Sequence, residues 1–169
     1  RTIVENLRIK DPWSDLSLPL FMMSYANVKA FQNFIEEVKI DAEIAESSLD
    51  FKTLTYFAPQ LGDNRLKAGV SGKASGYVND FSLTDMKIAS YAGGFSGVVN
   101  GRMTGIPDIG STRIDARIDR FNLTGEGLGL FLSEWMQEGE LDLSRYARGH
   151  TFMVDAKAEG LLDELDIDA

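Results

Sequence analysis

The chain has 169 residues, 44% of them hydrophobic and 25% charged, a balance that supports one folded domain and excludes disorder. Its formal net charge is −9 with Lys and Arg scattered, which excludes nucleic acid as a partner and argues against adhesion to an anionic membrane surface. Cysteine is absent, which removes disulfides, thiolate metal sites and cysteine nucleophiles, and no apolar run reaches the roughly 18–20 residues of a membrane-crossing helix.

Arg1 to Lys10 alternates weakly between apolar and polar residues and ends at the turn Asp11-Pro12. The greasiest stretch, Leu16 to Tyr25, is broken by Pro19. Asn27 is expected to cap a short helix with Val28, Phe31, Phe34 and Ile35 at helical spacing. Val38, Ile40, Ala42 and Ile44 then alternate with Lys39, Asp41, Glu43 and Ala45, the pattern of a half-buried strand. Asp50 is expected to cap a second short helix through Leu54 and Phe57, stopped by Pro59.

Strand signals dominate from Leu66 onward. Leu66, Ala68, Val70, Gly72, Ala74, Gly76 and Val78 share one face. Phe81 and Leu83 are out of phase with Met86 and Ile88, so one residue near Thr84-Asp85 must be absorbed as a bulge. Gly93, Gly97, Gly101 and Gly105 recur at every fourth position, with Phe95, Val99 and Met103 between them on the same face. That face is apolar and notched, shaped for a helix, a second sheet or an apolar chain. Ile114, Ala116 and Ile118 alternate with Arg113, Asp115, Arg117 and Asp119, and Phe121 and Leu123 follow after a slip in phase. Leu128, Phe131, Leu132 and Trp135 mark a third helix, after which alternation resumes at Leu141 and Leu143, at Phe152 to Ala158, and at Leu165 and Ile167. The pattern as a whole predicts a mainly β protein, a curved antiparallel sheet with two or three short amphipathic helices. A faint echo, GYVNDF, GIPDI and GLLDEL, each after a glycine-bearing strand, marks hairpins.

Groups for chemistry are sparse. His150 is the only histidine, sits in ARGHTF before a strand, and reads as a solvated turn residue rather than a general base. One histidine without cysteine cannot build a usual zinc site, so no metal and no cofactor are expected. The carboxylates Asp41, Glu43, Asp115 and Asp119 lie on the polar side of alternating strands beside Lys or Arg, where ion pairs on a wet face are the expected reading. The acidic tail, Asp163 to Asp168, lacks the spacing and central glycine of a calcium loop. Gly125-Glu126-Gly127-Leu128-Gly129 lacks the third glycine of a dinucleotide turn and would place Glu126 where a pyrophosphate should sit. No enzyme is expected. What remains is apolar surface: an ordinary closed core, or a groove kept open for hydrophobic cargo, with glycine and alanine interrupting the apolar faces where a plain core would favour filling residues.

Four stretches, SSLDFKTLTYFAP (47–59), GKASGYVNDFSL (72–83), GVVNGRMTGIPDI (97–109) and TRIDARIDRFNLTG (112–125), resemble the AsmA/TamB-like envelope proteins, in the style of the translocation-and-assembly-module type of Bacteroidetes. The resemblance covers Leu49 to Leu128 and rests on glycine-punctuated alternation. It implies a long periplasmic protein anchored in the inner membrane by an N-terminal helix, with strands rolled into an apolar groove. The implied role is outer-membrane biogenesis: phospholipid transport between the membranes, support of outer-membrane protein assembly, or both. Implied partners are phospholipid acyl chains, neighbouring β segments of the same chain and outer-membrane assembly proteins. Phe81, Leu83, Met86, Ile88, Phe95, Val99, Met103, Ile114, Ala116 and Ile118 would line the groove. Phe31, Leu54, Phe57, Leu128, Phe131, Leu132 and Trp135 would be helix pads that could close it, leaving a structural module that links β units without cargo. The chain starts at Arg1, so it is expected to be one piece of such a protein, with possible sub-units at 1–48, 49–125 and 126–169.

Overall fold

Each alternating segment pairs with the next one along the chain. The computed structural model describes residues 1–54, 67–91, 93–127, 149–161 and 164–168. Nine strands form one antiparallel sheet in sequence order: β1 (Thr2–Lys10), β2 (Asp15–Ser24), β3 (Lys39–Asp50), β4 (Lys67–Tyr77), β5 (Asp80–Ser90), β6 (Phe95–Thr104), β7 (Arg113–Thr124), β8 (Thr151–Leu161) and β9 (Glu164–Asp168). The first and last strands do not pair, so the sheet is open. Positions 48 and 49 both lie inside β3, so the sheet runs unbroken across the first expected sub-unit boundary.

Register carries the apolar alternation from strand to strand. One cross-strand row runs Val4, Phe21, Ala42, Ala74, Leu83, Gly101, Ala116, Ala158 and Ile167, each opposite the next. The adjacent row is Thr2, Met23, Ile40, Gly76, Phe81, Met103, Ile114, Gly160 and Leu165. Side chains in register share a face, so the strands place their apolar sides together.

Phase slips are absorbed by bulges lying at nearly one level of the sheet. Asp85 (φ +49°) sits in the extra residue of β5, between Leu83 and Met86, where the slip in phase predicts it. Arg120 (φ +49°) does the same in β7 between Ile118 and Phe121, and β3 bulges between Ile44 and Ser47. Each left-handed residue has its N–H held from the following strand: Asp85 N–H donates to Asn100 Oδ1 at 2.8 Å, and Arg120 N–H to Asp155 Oδ1 at 2.6 Å. An unpaired N–H at a bulge is thereby satisfied by a side chain. Asn6 of β1 (φ +56°) lies opposite Pro19 of β2, and there both strands change face together with no shift in register. The stretch around Pro19 is therefore a strand whose alternation changes phase midway.

The hairpin echo has a structural basis. Gly76, Gly105 and Gly160 all have positive φ (+139°, +94° and +140°) and all sit at the same end of the sheet, where β4, β6 and β8 turn into their successors. At that end a 3-10 turn (Val28–Asn33) and α1 (Phe34–Glu37) join β2 to β3. At the other end α2 (Phe51–Leu54) follows β3, with Lys52 N–H donating to Asp50 Oδ1 at 2.9 Å, as a cap should.

Burial is thin. Among the described residues only Leu18, Ala30, Val38, Ala68 and Met86 form a buried hydrophobic set.

Candidate functional site: an apolar sheet face

Strands β5, β6 and β7 bring the ten expected lining residues onto one face. Phe81, Leu83, Met86 and Ile88 lie opposite Met103, Gly101, Val99 and Gly97 in turn, and Met103, Val99 and Phe95 lie opposite Ile114, Ile118 and Leu123. The bulge at Asp85 makes this possible, because it returns Met86 and Ile88 to the face of Phe81 and Leu83. Nine of the ten are half-buried and only Met86 is buried, at 6% exposure. Neighbouring strands extend the surface with Val4, Phe21, Met23, Ile40 and Ala42 on one side and Val154, Ala156 and Ala158 on the other. The β1 and β2 contributors are absent from the sequence-derived lining because the phase change at Asn6 and Pro19 hides their alternation.

The glycine notches are taken by the sheet itself. A Cβ on Gly97 would stand 2.8 Å from Cδ2 of Phe121, and one on Gly101 would stand 2.8 Å from Asp115 O. Phe121 leans over Gly97 and stacks on Phe95, centroids 5.8 Å apart and planes 21° apart. These two notches hold neither helix nor ligand.

The opposite face is polar and laced with charge pairs. Arg102 meets Asp80 at 2.6 Å, Lys73 meets Glu43 at 3.2 Å, Lys39 meets Asp41 at 3.2 Å and Arg117 meets Asp119 at 2.7 Å. The Arg102 guanidinium holds the Asp80 carboxyl below its ordinary range and is itself pushed up. The Ser75 hydroxyl, then Lys39, lowers Asp41. These are exposed or half-exposed pairs that solvate the outside of the sheet and contribute little stability each. On this face the sheet hollows into a concavity of about 890 Å³ lined by Arg8, Asp15, Ser17, Ser48, Ser71 and Lys87, among others. No motif announces it, since its lining is drawn from five separate strands, β1 to β5.

The helical pads diverge from expectation. Asn27 does cap the first segment, accepting from Lys29 N–H at 2.9 Å. The segment turns Val28 (77% exposed), Phe31 (41%) and Ile35 (38%) outward and buries Ala30 and Val38 instead. Four-residue α1 is too short to present the single apolar stripe its spacing suggests. Phe31 still packs edge-on against Tyr25, whose hydroxyl hydrogen-bonds Thr2 Oγ1 at 2.9 Å, so this pad folds over the apolar face at β1. Leu54 ends α2, and Phe57, Leu128, Phe131, Leu132 and Trp135 lie outside the described residues. His150 is exposed, and its carbonyl accepts from Gly125 N–H at 3.0 Å.

The chain matches no protein-family model, no curated protein and no solved structure.

Proposed function

We propose that this chain is a lipid-carrying segment of an AsmA/TamB-like envelope protein, with acyl chains lying along the apolar face while headgroups stay in water. The observation that carries the reading is that, among the described residues, a face apolar across β1 to β8 stays half-exposed instead of closing into a core. Burying an acyl chain there is favourable by about 0.8 kcal/mol per methylene. No residue needs to ionise or attack, so the mechanism is passive solvation of cargo passing between inner and outer membranes, in support of outer-membrane biogenesis. A periplasmic setting, with an inner-membrane anchor elsewhere in a longer protein, belongs to the same proposal. The closed-module reading is weakened by the small buried set among the described residues and by the exposure of Val28 and Ile35.

Organic extraction of the purified chain followed by mass spectrometry is expected to recover phospholipid, and the delipidated chain is expected to take it up again from vesicles. A folded chain that yields no lipid and takes up none would leave the closed module as the better reading.

A further inference from the structure

The concavity on the polar face has its floor on β2 to β5, strands that are each paired on both sides. One cross-strand row there reads Asp15, Ser48, Gly69 and Ala89, each opposite the next. Beside it Ser71 lies opposite Lys87, and Ser17 lies opposite Arg8. Val70 and Ile88 alternate onto the apolar face, so the floor stays low and polar. Ser17, Ser48 and Ser71 are half-buried, and their hydroxyls bond to no side chain or carbonyl among the described residues. On the β1 side Arg8 and Asp15 stand as a bidentate pair, Nε to Oδ1 at 2.7 Å and Nη2 to Oδ2 at 2.5 Å. On the β5 side Tyr91 is 65% exposed, with Lys67 Nζ 5.9 Å from its ring centroid. The volume of about 890 Å³ falls within the range of ligand-binding clefts.

We propose that this concavity binds a neutral oligosaccharide. Its charged lining is two cations, Arg8 and Lys87, and two anions, Asp15 and Glu46, so it holds no surplus of either sign for a phosphate-bearing or polycationic ligand. The lining mixes hydrogen-bonding groups of three kinds. The Lys87 ammonium only donates, the Glu46 carboxylate only accepts, and the serine hydroxyls do both. A run of sugar hydroxyls, each a donor and an acceptor at once, satisfies such a set. An extended peptide needs the unpaired backbone of a sheet edge, which β2 to β5 do not offer. The Tyr91 ring adds a flat apolar surface for the C–H side of a pyranose. Gly69 keeps the middle open: a Cβ there would stand 3.7 Å from Ala89 O and 3.9 Å from Ser47 O, ordinary contacts, on a backbone outside the left-handed region. The site faces away from the apolar surface and stands independently of whether that surface carries lipid.

The test is isothermal titration calorimetry of the 169-residue chain with three neutral probes, maltotetraose, cellotetraose and chitotetraose, and two charged ones, hexaglutamate and spermine. At least one neutral probe is expected to bind at a single site, and neither charged probe is expected to bind. Tyr91→Ala is expected to weaken the binding about tenfold. Gly69→Trp, which fills the middle of the concavity, is expected to abolish it, with the folding of each variant checked by circular dichroism. Arg102→Ala, on the same face but outside the concavity, is expected to leave it unchanged. Failure of all three neutral probes to bind overturns the proposal. So does undiminished binding in Tyr91→Ala or in a folded Gly69→Trp, or binding of hexaglutamate or spermine.

Discussion

Phe121 fills the space that Gly97 leaves open, with its Cδ2 2.8 Å from where a Cβ on Gly97 would stand. Gly97→Ala must therefore push the Phe121 ring off Phe95. The backbone of Phe121 is also close, its Cα at 3.2 Å from that position, so the ring cannot escape by rotation alone. The expected loss is about 1–3 kcal/mol of stability, read from urea unfolding. Gly93→Ala is the contrast, because nothing lies within 4 Å of its Cβ position, although its φ of +73° carries a backbone cost of its own.

Val98 and Val99 are neighbours in β6 on opposite faces. Val99 lies opposite Met86 and Ile118, and Val98 lies opposite Lys87 and Asp119. Both are half-buried, so Val99→Asp and Val98→Asp are each expected to leave a folded protein, by circular dichroism and a cooperative melt. Only Val99→Asp is expected to lower the phospholipid recovered with the purified chain.

The bulges depend on acceptors in the neighbouring strands. Asn100→Ala removes the acceptor for Asp85 N–H, and Asp155→Ala removes the one for Arg120 N–H. Each is expected to cost about 1 kcal/mol in chemical unfolding. Asp85→Gly relieves a left-handed conformation at φ +49° and is expected to gain up to about 1 kcal/mol. Deleting Asp85 is different, because it throws Met86 and Ile88 onto the polar face. The deletion variant is expected to show no cooperative melt.

Acid stability is expected to follow the carboxylates. Asp11 is held below its ordinary value of 3.8 by the Ser14 N–H first, and by the Thr53 hydroxyl and the Trp13 N–H. Asp15 is lowered chiefly by Arg8, Asp80 by Arg102 and Asp41 by Ser75. In each case the unfolded state takes up a proton more readily than the folded state. Their contribution is therefore complete above the ordinary carboxylate value and is lost as pH falls through the lowered one. The melting temperature is expected to be level near neutral pH and to drop below about pH 4. Asp11→Asn should lower the plateau and soften the drop, since the β1–β2 turn and α2 share that carboxylate.

Much of the sheet was legible because a two-residue period survives wherever one face is apolar and the other wet, as in Ile114 to Asp119. Even the bulge at Thr84-Asp85 could be read, since Leu83 and Met86 cannot share a face without an extra residue. β2 was not legible as a strand. Leu16 and Leu18 precede the phase change at Pro19, Phe21 and Met23 follow it, and the sum looks like a continuous greasy run. The first helical pad misled for the opposite reason, as Val28 and Ile35 have helical spacing but stay exposed. Spacing shows which residues share a side and not which side is inward. The occupant of the Gly97 notch was equally hidden, because Phe121 reaches it only through the register of β6 and β7.

The most direct test of the lipid-carrying face compares two adjacent positions. A photoreactive benzophenone amino acid is placed at Val99 in one variant and at Val98 in another, and each is irradiated with phospholipid vesicles. The lipid-carrying account predicts phospholipid adducts from position 99 and few or none from position 98. Equal labelling at both positions, or labelling confined to position 98, would contradict it.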